Sequence, residues 1–261
     1  MRADVYIFNT GNAKSRQSAK LLIEGGNVLV DGKILTKASL NIDESSEHTV
    51  EIINKPMFVS RGGEKLDHAI RLFNINVADL ACIDIGASTG GFTDCLLQNG
   101  ARVVYCVDSG QNQLDPKIEN DKRVVSIEKF NARFMSKEDF PFCFDLAVMD
   151  VSFISQTMLH SAIGSVLRNG GDFISLIKPQ FECGKGALNS KGIVKNKSYH
   201  LQAITRVIDS ALLQGFSCID LTRSPIEGGS GNIEFLAHFK KTDNPECLIH
   251  QDKIKQTVQS K

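Results

Sequence analysis

The stretch Asp84-Ile-Gly-Ala-Ser-Thr-Gly-Gly-Phe92 constrains this chain more than any other. It follows an apolar run from Leu80 to Ile85 and precedes a helix-like run from Phe92 to Gln98. Strand, glycine loop and helix form the unit that opens a nucleotide-type site. Glycine lets the backbone approach a ligand closely, and the helix start offers unpaired N–H groups. A second apolar run, Val103 to Val107, ends in Asp108, about 24 residues beyond Asp84. A carboxylate there is placed to accept hydrogen bonds from a ribose. The loop lacks the G-x-G-x-x-G spacing of dinucleotide sites. Its shorter form suits S-adenosylmethionine (SAM), which has no pyrophosphate to wrap.

From Ser60 onward the pattern alternates. Ser60 is expected to cap a helix running to Phe73, with Leu66, Ile70 and Phe73 on one face. Strands are expected at 80–85, 102–108, 123–128, 144–150 and 172–177, with helices at 92–98, 157–168 and 197–213. Two last strands, 216–222 and 233–239, are joined through Gly228, Gly229 and Gly231 and suit an antiparallel hairpin at the sheet edge. The fold class is therefore α/β: a Rossmann-like, mostly parallel sheet with an antiparallel last strand and helices on both faces. Residues 60–240 form this domain, and 241–261 read as a polar C-terminal tail, frayed or weakly helical.

Residues 1–53 read as a separate small α+β module. Asp4 to Phe8 is a short first element, and Ser15 caps a helix that runs to Glu24 and stops at Gly25-Gly26. Asn27 to Val30, the tight turn Asp31-Gly32 and Lys33 to Leu35 form a hairpin, and His48 to Ile53 a further strand. Pro56 makes 54–59 a linker.

Net charge is zero, but two basic segments stand out. Residues 1–40 carry six basic groups against three acidic ones, a net +3, and residues 178–206 carry six against one, a net +5. Each is either solvated surface or a phosphate-attracting patch. The seven cysteines include no C-x-x-C pair, which favours reduced thiols and a cytoplasmic setting. The histidines are dispersed, so no metal site is expected. No apolar run reaches the roughly 18 residues of a membrane span, so no membrane partner is expected.

Polar residues at strand ends are where ligands meet an open α/β sheet. Asp150 ends Leu-Ala-Val-Met-Asp, and Lys178 ends Ile-Ser-Leu-Ile-Lys. Glu234 lies just inside the last strand, and Lys65 on the helix before the first sheet strand. An ammonium at the end of a largely apolar run is costly to bury unless it is used. Methyl transfer to a weak nucleophile asks for such a set: an amine that accepts a proton, a second cation beside it, and carboxylates that fix both. The alternatives are a helix cap for Asp150, a solvated helix residue for Lys65 and a water-facing strand residue for Glu234. Phe153, beside Asp150, reads either as packing or as a contact to a flipped nucleotide.

The blocks Val59-Ser-Arg-Gly-Gly-Glu-Lys65-Leu, Asp84 to Thr93, Asn131-Ala-Arg133, Asp150-Val-Ser-Phe-Ile-Ser155, Lys178-Pro-Gln-Phe-Glu182-Cys-Gly-Lys185-Gly and Ser230-Gly-Asn-Ile-Glu234-Phe stand in one order. The main domain with these blocks resembles the FtsJ-type 2′-O-ribose methyltransferases. The module at 1–53, with Ser15-Arg16-Gln-Ser-Ala19 and Ile23-Glu-Gly-Gly-Asn-Val28, resembles an S4-type RNA-binding domain. The whole chain resembles the TlyA family, whose members are also labelled haemolysins.

That resemblance implies a SAM-dependent 2′-O-methyltransferase acting on cytidine in ribosomal RNA of the small or large subunit. It implies a catalytic tetrad of Lys65, Asp150, Lys178 and Glu234, with Lys178 as the base. It also implies SAM contacts from Asp84, Gly86, Ala87, Ser88, Thr89, Gly90, Phe92, Asp108 and Asn131. RNA contacts fall on Arg2, Arg16, Lys20, Lys33, Lys37, Arg61 and Lys185. The alternatives are a non-catalytic RNA-binding or ribosome-assembly factor and a membrane-active haemolysin.

Overall fold

A computed structural model describes residues 1–13, 15–53 and 57–260, leaving aside the side chains of Leu21 and Lys185. Expectations for Asn54 to Pro56 therefore lie outside the described residues. The chain divides into two units, Met1–Met57 and Phe58–Lys261.

In the first unit, helices α1 (Ala3–Asn9) and α2 (Arg16–Glu24) precede strands β1 (Val28–Val30), β2 (Lys33–Ile34) and β3 (Val50–Ile52). The strands form an antiparallel sheet in the order β2-β1-β3. Asp31 and Gly32 both adopt positive φ (51° and 74°), as the tight hairpin turn demands. Ala3, Ile7, Ala19, Leu22, Ile23 and Val28 bury themselves together as a small core. Ser15 Oγ accepts from Ser18 N at 3.1 Å, the cap expected from the sequence.

The second unit begins with α3 (Arg61–Leu72) and continues through β4 (Ala81–Ile85), α4 (Gly91–Gln98), β5 (Val103–Val107), α5 (Pro116–Glu119), β6 (Val124–Ile127), β7 (Phe144–Met149) and α6 (His160–Val166). It closes with β8 (Leu167–Ile177), α7 (Pro179–Glu182), α8 (Lys197–Leu213), β9 (Phe216–Arg223), β10 (Phe235–Lys241) and α9 (Gln251–Gln259). The seven strands lie in the order β6-β5-β4-β7-β8-β10-β9, parallel except for β10, which is antiparallel to both neighbours. Strands such as Ala81-Cys-Ile-Asp-Ile85, buried at every position, belong in a sheet covered on both faces. The period of two sends Ala81, Ile83 and Ile85 into one core and Cys82 into the other, which α3 and α4 cover.

Three expectations need correction. Strand β8 starts at Leu167, not 172, and runs through Arg168-Asn-Gly-Gly171. Those turn-forming residues are absorbed by an irregular register against β7, with Gly170 at φ 74°. The helix expected at 157–168 is a short 3-10 turn, Gln156–Met158, followed by α6. The polar tail is not a separate region. Cys218 N donates to Glu246 O (3.1 Å) and Leu248 N to Cys218 O (2.9 Å), which extends pairing beyond β9. Helix α9 then buries Ile254, Thr257 and Val258. Its last carbonyls accept from Lys197 Nζ (Gln259 O, 3.3 Å), and Ser260 O accepts from Arg223 Nη1 (2.5 Å).

Candidate active site

The carboxyl ends of β4, β7, β8 and the start of β10 lie side by side. Ile85 pairs with Met149, so Gly86 stands opposite Asp150 at the strand exits. A Cβ on Gly86 would lie 2.6 Å from Asp150 O, and its φ is 84°. Only glycine permits that approach. Phe235 pairs with Ile177, so the register carries Glu234 across from Lys178.

The four residues of the expected tetrad meet as two ion pairs. Lys178 Nζ lies 2.5 Å from Asp150 Oδ1, off the angle of a hydrogen bond, and donates to Ser152 Oγ at 2.8 Å. Lys65 Nζ donates to Glu234 Oε2 at 2.5 Å, with both side chains buried. Asp150 and Lys178 line a small chamber of about 180 Å³ together with Ser60, Gly62, Ala87, Thr89, Gly91 and Phe92. Lys65 and Glu234 do not line it. Lys65 is on α3, and Glu234 immediately precedes β10.

A larger cavity of about 420 Å³ shares Gly86, Ser88, Asp150 and Ser152 with that chamber. Its other walls include Asp108, Asn131, Phe130, Val107 and Phe153. The size falls within the range of small-ligand sites, roughly 300–1,000 Å³. Asp108 closes the glycine loop by accepting from Ser88 N (2.8 Å) and Gly110 N (2.7 Å). Each of its oxygens keeps acceptor capacity for a hydroxyl. Asn131 Oδ1 caps the next turn by accepting from Arg133 N at 3.1 Å. A lining that mixes the acceptors of Asp108 and Asn131, apolar side chains and Gly86 suits an adenosyl donor.

Not every expected contact lies at the cavity wall. Asp84 is fully buried and lines neither space. Strand alternation turns it toward α4, where Thr93 Oγ1 donates to Oδ2 at 2.7 Å and Oδ1 has no partner. Burial pushes its carboxyl up to about 7. Gly90 precedes α4 at its N-cap with φ 85° and faces Ile118 instead of either space. Ser60 flanks α3 but makes no cap bond, and its side chain lines the small chamber.

Ser152, Ser60 and Phe130 line these spaces although none is among the expected site residues. Ser152 was findable, since it sits two residues past Asp150 in a quoted block. Phe153 is 92% exposed and holds φ 65°, a costly conformation for a bulky side chain. Its ring lies 5.3 Å from that of Phe181.

In the first unit, Arg2 and Arg16 share one acid. Arg2 Nε donates to Asp4 Oδ1 (2.9 Å) and Arg16 Nη2 to Asp4 Oδ2 (3.1 Å). The Arg2 hydrogen bond leads in holding that carboxyl down at about 2. Lys20 pairs loosely with Glu24 at 3.8 Å, and Lys33 and Lys37 are exposed. Arg61, at the start of α3, is also exposed. The Lys185 side chain lies outside the described residues. Among the described residues, no His, Cys, Asp or Glu cluster is arranged for a metal ion, and no helix is long and apolar enough to cross a membrane.

Comparison with known proteins agrees with this architecture. FtsJ-like methyltransferase describes residues 58–241, and S4 domain describes residues 1–48. Hemolysin A of Brachyspira hyodysenteriae is 43% identical over 92% of this chain and 99% of its own. The 16S/23S rRNA (cytidine-2′-O)-methyltransferase TlyA of Mycobacterium tuberculosis is 39% identical over 90% of this chain and 87% of its own. A solved structure from Streptococcus thermophilus superposes with TM-score 0.80 at 42% identity, covering 99% of this chain and 94% of that one.

Proposed function

We propose, from the premise that this chain belongs to the FtsJ-like methyltransferase family and carries an S4 domain, that it methylates the ribose 2′-oxygen of cytidine in ribosomal RNA in the cytoplasm. The observation that carries the reading is the pairing of Lys178 with Asp150 at the junction of the two spaces, backed by the buried Lys65–Glu234 pair. SAM, when bound, supplies an electrophilic methyl group with its own leaving group.

The remaining work belongs to the chain. Gly86, Ser88, Asp108 and Asn131 hold the donor. The small chamber receives the acceptor ribose. A ribose hydroxyl is a weak acid, so its oxygen must lose a proton as it attacks. Lys178 accepts that proton, and Asp150 and Ser152 fix the amine toward the chamber. The positive charge then on Lys178 rests against the Asp150 carboxylate. Glu234 keeps Lys65 oriented. Exposed, strained Phe153 is placed to stack on a nucleobase that leaves its helix. Arg2, Arg16, Lys20, Lys33, Lys37 and Arg61 supply phosphate contacts.

The test uses purified protein, labelled SAM and isolated ribosomal subunits. Lys178→Ala should abolish transfer to a 2′-hydroxyl and keep SAM affinity, measured by calorimetry. Robust methylation by that variant would refute Lys178 as base. No transfer by the unsubstituted protein, with tight binding to subunits, would favour the assembly-factor reading.

A further inference from the structure

A buried carboxylate outside the tetrad ties the two halves of the Lys178–Asp150 pair together. The loop Val151–Ser155 leaves β7 directly after Asp150 and carries Ser152 and Phe153. It makes its turn with Phe153 at φ 65°, a conformation its own sequence does not favour. Something must hold it. Glu182 ends α7, the single turn that Lys178 begins. Its Oε2 accepts from Ser155 Oγ at 2.5 Å and its Oε1 from Gln156 N at 2.8 Å.

The strap is anchored further on both sides. Gln156 is buried, and its side chain accepts from Ser175 Oγ of β8 and donates to Leu176 O at 3.5 Å. Arg206 of α8 donates through Nη1 to Glu182 O at 2.9 Å, fixing the end of α7. Burial raises the Glu182 carboxyl above its ordinary range, opposed by the donors from Ser155 and Gln156. An acid is expensive to bury, and a neutral residue would fill the same volume more cheaply. A loop needing two acceptors at fixed positions explains its presence.

We propose that Glu182 is a positioning residue for methyl transfer: it straps the Val151–Ser155 loop to the Lys178 turn and so sets where Asp150 and Phe153 face Lys178. This rests on the methyltransferase reading above. Glu182 touches neither donor nor acceptor. It acts through the loop.

The experiment compares Glu182→Ala with Glu182→Gln. Alanine removes both acceptors. Glutamine keeps an acceptor for Gln156 N and can donate to a rotated Ser155 hydroxyl. Misplacement of a reacting group by about 1 Å costs on the order of 100-fold in rate. Glu182→Ala should therefore lower kcat per folded molecule by about 100-fold and keep SAM affinity, and Glu182→Gln should restore most of the rate.

The chain has no tryptophan, so Phe153→Trp supplies a single reporter of the loop. Its fluorescence anisotropy should fall when combined with Glu182→Ala and hold with Glu182→Gln. A residue serving only stability would lower the melting temperature and leave kcat per folded molecule and anisotropy unchanged, and that result overturns the proposal. If the unsubstituted protein transfers no methyl group, the methyltransferase reading fails, and the anisotropy comparison still decides the strap.

Discussion

Replacing the buried Lys65–Glu234 pair by an apolar pair should separate folding from activity. The side chains are 8% and 3% exposed and 2.5 Å apart. Lys65→Met alone strands the Glu234 carboxylate in the interior, and Glu234→Leu alone strands the ammonium. Breaking a buried pair in this way costs about 3–5 kcal/mol. The double variant Lys65→Met/Glu234→Leu removes both charges and keeps similar volume, so its stability should lie within ~1–2 kcal/mol of the parent, on either side. Urea unfolding followed by circular dichroism measures all three, tryptophan fluorescence being absent. Methyl transfer to subunits should stay undetectable in the double variant although it folds. Near-parental transfer would show that the pair is structural only. Single variants costing under about 1 kcal/mol would show that the pair is not desolvated as described.

Two further outcomes follow from the glycine loop. The Asp84 carboxyl is raised from 3.8 to about 7, so its contribution to stability is full below pH 4 and is lost as pH rises through 7. At 1.36 kcal/mol per pH unit that interval is worth roughly 4 kcal/mol. Asp84→Asn should thus gain on the parent steadily between pH 4 and 7.5 in urea unfolding, and a constant difference across that range would contradict the burial argument. Gly86→Ala places a Cβ 2.6 Å from Asp150 O at φ 84°, costing about 1–3 kcal/mol of backbone strain, and calorimetry should show weakened SAM binding; unchanged affinity would sink the close-approach reading.

Much of the molecule was legible in the sequence. Long apolar runs ending in single polar residues gave the strands and the rim, because a two-sided sheet leaves few other places for such runs. The four residues that the resemblance groups together meet as two ion pairs of different burial, which spacing cannot show. Asp84 adjoins the loop and so is an expected ligand contact; strand alternation, not proximity in sequence, decides its direction. Ser60 matched a capping pattern, yet its side chain lines the chamber. The strap by Glu182 was invisible, since Ser155 and Glu182 meet only once two strand exits are neighbours. The 241–261 segment reads as polar because apolar residues are few there; within α9, Ile254 and Val258, four apart, mark the face that packs.

The pairing of Glu246 and Leu248 with Cys218 means that β9, outermost on its side of the sheet, does not present a bare ladder there. Trimming the chain after Lys241 would uncover that ladder and strip Ile254 and Val258 from the surface they shield. Such a shortened protein should self-associate, and an affinity tag is better placed beyond Lys261 than in place of the final helix.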